Sequence, residues 1–330
     1  MKLKSPLDVQ VEVTSSCNYH CEYCYNPFEH KTHSMNTREV TRVINELSDN
    51  NVFSVIFTGG EPFMNREVLR TGVNLAQQKE MKTYVNTNLS IPLRDYEVEY
   101  LKKTNNVLFS IPSFREELYE LVTGGGGWTN FTDNLKRLSL GGVILTGNQV
   151  VTPLNIGDIY ETAKFLQENF GIRNFCATPV NATNGNKLKN NLHGQDYATV
   201  GRELIRSRDA LDMHVEMLTC LPPCIFPEEV RTSGLEFKGC STGMSTAAIG
   251  VSGEVRKCVE LEKIYGNIFE EPLNKIWNRI ISENKKPMDS CYGCGVDLGC
   301  NRGCEAREKD GKDLLVGNII KTPPVKKKQN

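Results

Sequence analysis

At 330 residues, with 39 Lys plus Arg against 40 Asp plus Glu and a net charge of −1, the chain has room for a barrel-sized domain and a smaller one. It has no basic stripe to neutralise a phosphate backbone, which argues against nucleic acid as a partner. No apolar run approaches the roughly 20 residues that span a bilayer, and Met1 to Pro6 lacks a signal-peptide core, so no membrane and a cytoplasmic location are expected.

From residue 8 to about 210, short β-branched runs alternate with helical patterns, the signature of βα units and a parallel sheet. In Asp8–Thr14, Val9, Val11 and Val13 alternate with polar residues. Later strands are expected over 52–57, 82–87, 107–111, 145–151 and 173–178, about six in all. Asn36-Thr37-Arg38-Glu39 fits a capping box, and a helix over 156–170 places Ile159, Ala163, Phe165 and Leu166 largely on one face before Gly171. Six units are too few to close an eight-stranded barrel, so the fold class expected is α/β, a partial (β/α)6 TIM-type barrel with one open side. Its chemistry belongs at the C-terminal strand ends.

Beyond about residue 213 the texture changes. Eight of the 12 cysteines lie between Cys220 and Cys304, glycines are frequent, and helical periodicity survives only over 272–282. Thiols in a reducing compartment point to metal rather than disulfides, and a region this poor in apolar periodicity is expected to be held by metal. The organisation expected is a core domain at 1–213, a cysteine-rich domain at 214–318 and a disordered basic tail at 319–330, where Lys326, Lys327 and Lys328 follow Pro323 and Pro324.

Cys17-x3-Cys21-x2-Cys24 directly follows the first strand. Three thiolates on one loop can hold three irons of a four-iron cluster and leave the fourth open to an external ligand. The alternative is a structural zinc site, which wants four closed ligands. Cys17-Asn18-Tyr19-His20-Cys21-Glu22-Tyr23-Cys24 resembles the signature of the radical S-adenosylmethionine (SAM) superfamily, including the aromatic Tyr23. The resemblance implies a [4Fe-4S] cluster whose unique iron chelates the amino and carboxylate groups of SAM, with Tyr23 near the adenine. It also implies reductive cleavage of SAM to a 5′-deoxyadenosyl radical that abstracts a substrate hydrogen.

Thr58-Gly59-Gly60-Glu61-Pro62 ends the second strand. Taken alone it is a strand-to-helix turn whose glycines permit close backbone approach to a ligand. Paired with the cysteine triplet it resembles the family's Gly-Gly-Glu-Pro element, whose backbone contacts the SAM amino group. Further SAM contacts implied by the resemblance are Asn88 in Asn86-Thr87-Asn88, Ser110 and Asn155. The chain departs from the family where Pro112 replaces a common aspartate and where Val122-Thr123-Gly124 lacks an arginine, so the ribose and carboxylate contacts must differ.

Cys240-x12-Gly253-x4-Cys258, followed by Cys291-x2-Cys294-x5-Cys300-x3-Cys304, is similar to the SPASM extension of radical SAM peptide-modifying enzymes. The likeness implies a first auxiliary [4Fe-4S] cluster on Cys240, Cys258 and Cys304 with an upstream thiol, Cys224 in preference to Cys220. Cys291, Cys294 and Cys300 would hold a second. The family's usual last cysteine has no counterpart after Cys304, which leaves that cluster with an open iron, with Asp310 or Asp313, with a borrowed Cys220, or absent. A double zinc site is the alternative for these cysteines. Cys176 reads as a small core hydrophobe, and Cys220, if unligated at the barrel mouth, would be a hydrogen-atom donor. His20, His30, His33, His193 and His214 show no ligand spacing.

The resemblance implies a radical SAM oxidoreductase or peptide maturase that crosslinks, oxidises or epimerises a ribosomal precursor peptide, reduced by a flavodoxin- or ferredoxin-type protein. The few residues before residue 8 leave no evident leader-binding domain, so a separate leader-binding protein or the open barrel side would hold the precursor. The alternatives are a sulfatase-maturing enzyme, a small-molecule dehydrogenase or haem-pathway enzyme, and a non-enzymatic zinc protein or iron–sulfur electron carrier.

Overall fold

The computed structural model describes residues 3–25, 33–180, 192–283, 300, 303–309, 312–313 and 315. Seven strands run parallel in chain order: β1 (Asp8–Thr14), β2 (Ser54–Gly59), β3 (Lys82–Thr87), β4 (Asn106–Ser110), β5 (Leu145–Val151), β6 (Asn174–Pro179) and β7 (His214–Glu216). Between them lie α1 (Thr37–Asp49), α2 (Arg66–Gln78), α3 (Asp95–Leu101), α4 (Glu116–Thr123), α5 (Trp128–Leu140), α6 (Ile159–Phe170) and α7 (Gly194–Leu211). The expected capping box is present: Glu39 N donates to Asn36 Oδ1 at 3.0 Å, and Asn36 N donates to the Glu39 carboxylate at 2.7 Å. Gly171 closes α6 at φ +66°, a backbone that glycine adopts without strain. β2 starts two residues later than expected because Val52 N is drawn back onto Leu47 O at 3.0 Å, closing the end of α1.

The sheet does not stop at the six expected strands. β7 adds to one edge, and β8 (Thr246–Ile249), β9 (Glu254–Arg256) and β10 (Ile264–Asn267) add to the other, giving the order β10-β9-β8-β1-β2-β3-β4-β5-β6-β7. β8 pairs in parallel with β1, and β9 and β10 return as antiparallel neighbours. The two sheet edges, β7 and β10, do not pair, so this is an open α/β sheet and not a closed barrel. The cysteine-rich region is thereby hydrogen-bonded into the core sheet.

Alternation along the strands separates the two faces. Val9, Val11 and Val13 are fully buried in one core with Val40, Ile44 and Leu47 of α1. On the intervening side Asp8, Gln10, Ser54, Asn86, Asn106 and Asn174 line a cavity of about 660 Å³ together with Ile56, Leu108 and Phe175, toward the N-terminal ends of the strands. Cys176, expected to be a core hydrophobe, is buried but lines this cavity together with Glu216 and Lys238, because its register partner on β7 is Glu216.

One ion pair crosses from the core strands to the C-terminal ones. Ala248 is the register partner of both Gln10 on β1 and Arg256 on β9, and its small side chain lets the arginine pass over it. The Arg256 guanidinium thus reaches the Glu12 carboxylate, with side-chain exposures of 6% and 1%, and also donates to Val259 O at 3.1 Å. Glu12→Ala should cost about 3 kcal/mol in denaturant unfolding, since it leaves a buried charge without its partner. Burial, which outweighs Arg256, pushes the Glu12 carboxyl up to about 7. The folded state therefore binds a proton that the unfolded chain releases, so this group's contribution is greatest below the ordinary carboxylate pKa and declines as pH rises through 7. Wild type should lose more stability than Glu12→Gln between about pH 5 and about pH 8, and parallel pH profiles would contradict this.

Candidate functional site

The loop carrying Cys17, Cys21 and Cys24 leaves the C-terminal end of β1 and is shaped by the turn that leaves β2. Gly60 N donates to Thr14 O at 2.7 Å and Glu61 N to Ser16 O at 2.8 Å. A Cβ on Gly59 would stand 2.2 Å from Thr14 O, and one on Gly60 2.2 Å from Ser16 O. The glycines expected to admit a ligand are thus required first by the chain's own backbone just before Cys17. Within the loop, Tyr19 is a buried anchor whose hydroxyl lies 3.2 Å from that of Tyr119, and His20 N donates to Thr123 O at 3.0 Å.

Glu61, 1% exposed, is an internal brace. It accepts hydrogen bonds from Phe63 N at 3.0 Å, Thr87 Oγ1 at 2.7 Å and Asn88 N at 2.7 Å. Burial pushes its carboxyl up to about 7, against these three donors, which favour the ionised form. Pro62, buried, opens the short helical turn that Glu61 caps. Asn88, held by Glu61, turns its side-chain amide toward Asn18 Oδ1 at 3.0 Å and Cys17 Sγ at 4.0 Å, and Ser90 closes the ring by accepting from Asn18 at 2.7 Å. Sequence reasoning missed Asn18 and Ser90. Their only signal was the proximity of Asn18 to Cys17.

The sulfur surroundings suit cluster ligation. Cys17 Sγ accepts from Tyr19 N at 3.4 Å, and the Tyr23 hydroxyl bonds Cys21 Sγ, so Tyr23 is a sulfur partner packed against the core. Burial pushes the Cys21 thiol up to about 12, so binding metal there must displace a proton. Three thiols on one loop, with a backbone N–H on Cys17, suit the three-ligand arrangement of a multi-iron cluster with one open iron, whereas a structural zinc wants four ligands.

A second thiol group forms in the C-terminal region. Cys220 hydrogen-bonds Cys240 through their sulfurs, which holds the Cys240 thiol below the usual thiol range. Thr242 donates to Cys240 from both its backbone and its side chain, and Glu305 N adds a further bond. Cys304 acts electrostatically on Cys220 and Cys258, and accepts a bond from Ala306 N, as Cys258 does from Glu260 N. Cys220, the upstream thiol that the resemblance placed second to Cys224, thus lies beside Cys240, and Cys224 packs against the core. Cys291, Cys294 and Asp310 lie outside the described residues, as does the side chain of Asp313.

Of the other expected contacts, Ser110 ends β4 beside Asn148 of β5. Asn155 is fully buried, donates to Pro112 O and Val150 O at 2.9 Å each, and accepts from Thr152 N at 2.8 Å, so its amide braces the exit of β5.

Residues 11–166 match the Radical SAM superfamily, and residues 240–295 match the SPASM iron–sulfur cluster-binding domain. A GTP 3′,8-cyclase of Clostridium botulinum is 31% identical over 140 residues, 40% of this chain and 44% of that protein. The chain thus spans less than half the length of the cyclases it matches. An AdoMet-dependent heme synthase of Oleidesulfovibrio alaskensis is 24% identical over 328 residues, 90% of this chain and 81% of that one. In fold the chain is similar to Streptococcus suis SuiB bound to precursor peptide SuiA, with TM-score 0.78, 19% identity, and 95% and 76% of the two chains covered. It is also similar to native anSMEcpe with bound AdoMet, with TM-score 0.75, 17% identity, and 95% of each chain covered.

Gly60→Ala should drive a methyl into Ser16 O and weaken retention of iron at the N-terminal site by about tenfold in a chelator challenge. Gly157→Ala, whose added methyl meets nothing within 4 Å, is the control. Equal retention in both would show that the turn does not hold the cysteine loop.

Proposed function

From a chain that carries a radical SAM domain followed by a SPASM domain, we propose an enzyme that cleaves SAM reductively and modifies a peptide. Cys17, Cys21 and Cys24 would hold a [4Fe-4S] cluster with one iron left to the amino and carboxylate groups of SAM. When bound, cluster and SAM provide one-electron chemistry that yields a 5′-deoxyadenosyl radical able to take a hydrogen atom from the substrate. The observation carrying this reading is the placement of three thiols on one loop at the C-terminal end of β1, braced by Gly59 and Gly60 and edged by Asn88.

The chain's own residues divide the remaining work. Asn88, fixed through Glu61, orients ligands at the edge of Cys17, with Ser110 bordering the same strand ends. Cys220, Cys240, Cys258 and Cys304 would hold an auxiliary [4Fe-4S] cluster able to carry single electrons, and a flavodoxin- or ferredoxin-type protein would serve as the enzyme's reductant. The cavity lined by Gln10, Tyr84, Asn106 and Asn174 lies toward the N-terminal ends of the strands, opposite the cysteine loop, so the support for a peptide substrate comes from the likeness in fold to a neighbour bound to a precursor peptide. Crosslinking, oxidation or epimerisation of a ribosomal precursor are the outcomes this chemistry would serve in a cytoplasmic setting, with a leader-binding partner where needed.

A haem-pathway reaction is the second reading, favoured by the length over which the heme synthase matches. Anaerobically reconstituted protein, reduced in the presence of SAM, should form 5′-deoxyadenosine. Cys17→Ala/Cys21→Ala/Cys24→Ala should abolish nucleoside formation while keeping the C-terminal iron. Nucleoside release unchanged by the triple substitution would defeat the proposal. Mass spectrometry of candidate precursor peptides against haem precursors, in the same assay, separates the two substrates.

A further inference from the structure

We propose that Arg307 places a buried positive charge beside the auxiliary cluster and raises its reduction potential. The inference rests on the reading that Cys220, Cys240, Cys258 and Cys304 are its ligands. Arg307 is 2% exposed, among the largest fully buried side chains of the protein. It closes a short 3-10 turn, Glu305–Arg307, that starts directly after Cys304. Arg307 N donates to Cys304 O at 3.1 Å, and the side chain folds back to donate through Nη2 to Cys220 O. One residue thus bridges the first and last cysteines of the group through their carbonyl oxygens, 84 positions apart by 304 − 220.

Placement decides the sign of the effect. A four-iron cluster on four thiolates is an anion in both of its working oxidation states, and reduction adds one more negative charge. A buried guanidinium stabilises the more negative state more, because Coulomb energy grows with charge and is weakly screened inside the protein. Glu260 works in the opposite sense, its charge raising the Cys258 and Cys304 thiols. Arginine also stays charged at any physiological pH, so its effect does not lapse with proton uptake.

The test uses the full chain carrying Cys17→Ala/Cys21→Ala/Cys24→Ala, so that only C-terminal iron gives a signal. Iron and sulfide are counted, and the midpoint is read by EPR-monitored redox titration. Arg307→Gln should keep its iron and shift the auxiliary midpoint to more negative potential, while Arg307→Lys stays near the parent value. An unchanged midpoint in Arg307→Gln, or an equal shift in Arg307→Lys, would overturn the assignment of charge. Loss of iron from both variants would overturn it as well, by showing a scaffolding side chain. If instead the parent triple variant holds no iron, or Cys220→Ser leaves iron and spectrum untouched, the ligand reading fails and not the role of Arg307.

Discussion

The backbone contact between the turn after β2 and the start of the cysteine loop is the constraint on which the site depends. Gly60 N and Glu61 N donate to Thr14 O and Ser16 O, at distances that only residues without a side chain at positions 59 and 60 allow. That contact sets where Cys17 begins. Glu61, placed by the same turn, then carries the order across to β3 by accepting from Thr87 and from the backbone N–H of Asn88. Three strands therefore converge on one loop through main-chain geometry. The cysteine loop gains its rigidity in this way, alongside the packing of Tyr19 and Tyr23 against the core.

A second consequence follows from continuity of the sheet. β8 lies against β1, the strand that delivers the first cysteine loop, and β9 delivers Arg256 to Glu12 and precedes Cys258 by two residues. The two cysteine groups are thus carried by neighbouring strands of one sheet. Relative motion between them is restrained by ladder hydrogen bonds and by a buried ion pair. Electron exchange falls steeply with distance, so a shared sheet is a sound platform for two redox centres.

Much of this was legible in the residues. The alternation of valine with polar residues marked β1 to its ends, and three of the six expected strands have the expected bounds, because turn residues punctuate them clearly. Sequence spacing could not convey which upstream thiol meets Cys240: Cys224 is nearer along the chain than Cys220, and the fold brings the Cys220 sulfur onto Cys240 from before Pro222 and Pro223. The glycine pair was legible as a site of close approach, and its nearest neighbours are the chain's own Thr14 and Ser16 carbonyls. Asn155 looked available because strand-end asparagines often are, but its amide is consumed by Pro112 and Val150. β8 to β10 went unseen since strands of three or four residues carry too little alternation to register.

The central claim is a three-thiolate cluster that keeps one iron for an external amino acid group. The most direct measurement is electron–nuclear double resonance on the reduced protein with SAM labelled at its amino nitrogen and carboxylate. The account predicts strong coupling of both labels to one iron, lost in Cys17→Ala/Cys21→Ala/Cys24→Ala. A reduced cluster at these cysteines that shows no coupling to either label, because a fourth protein ligand occupies the position, would contradict it.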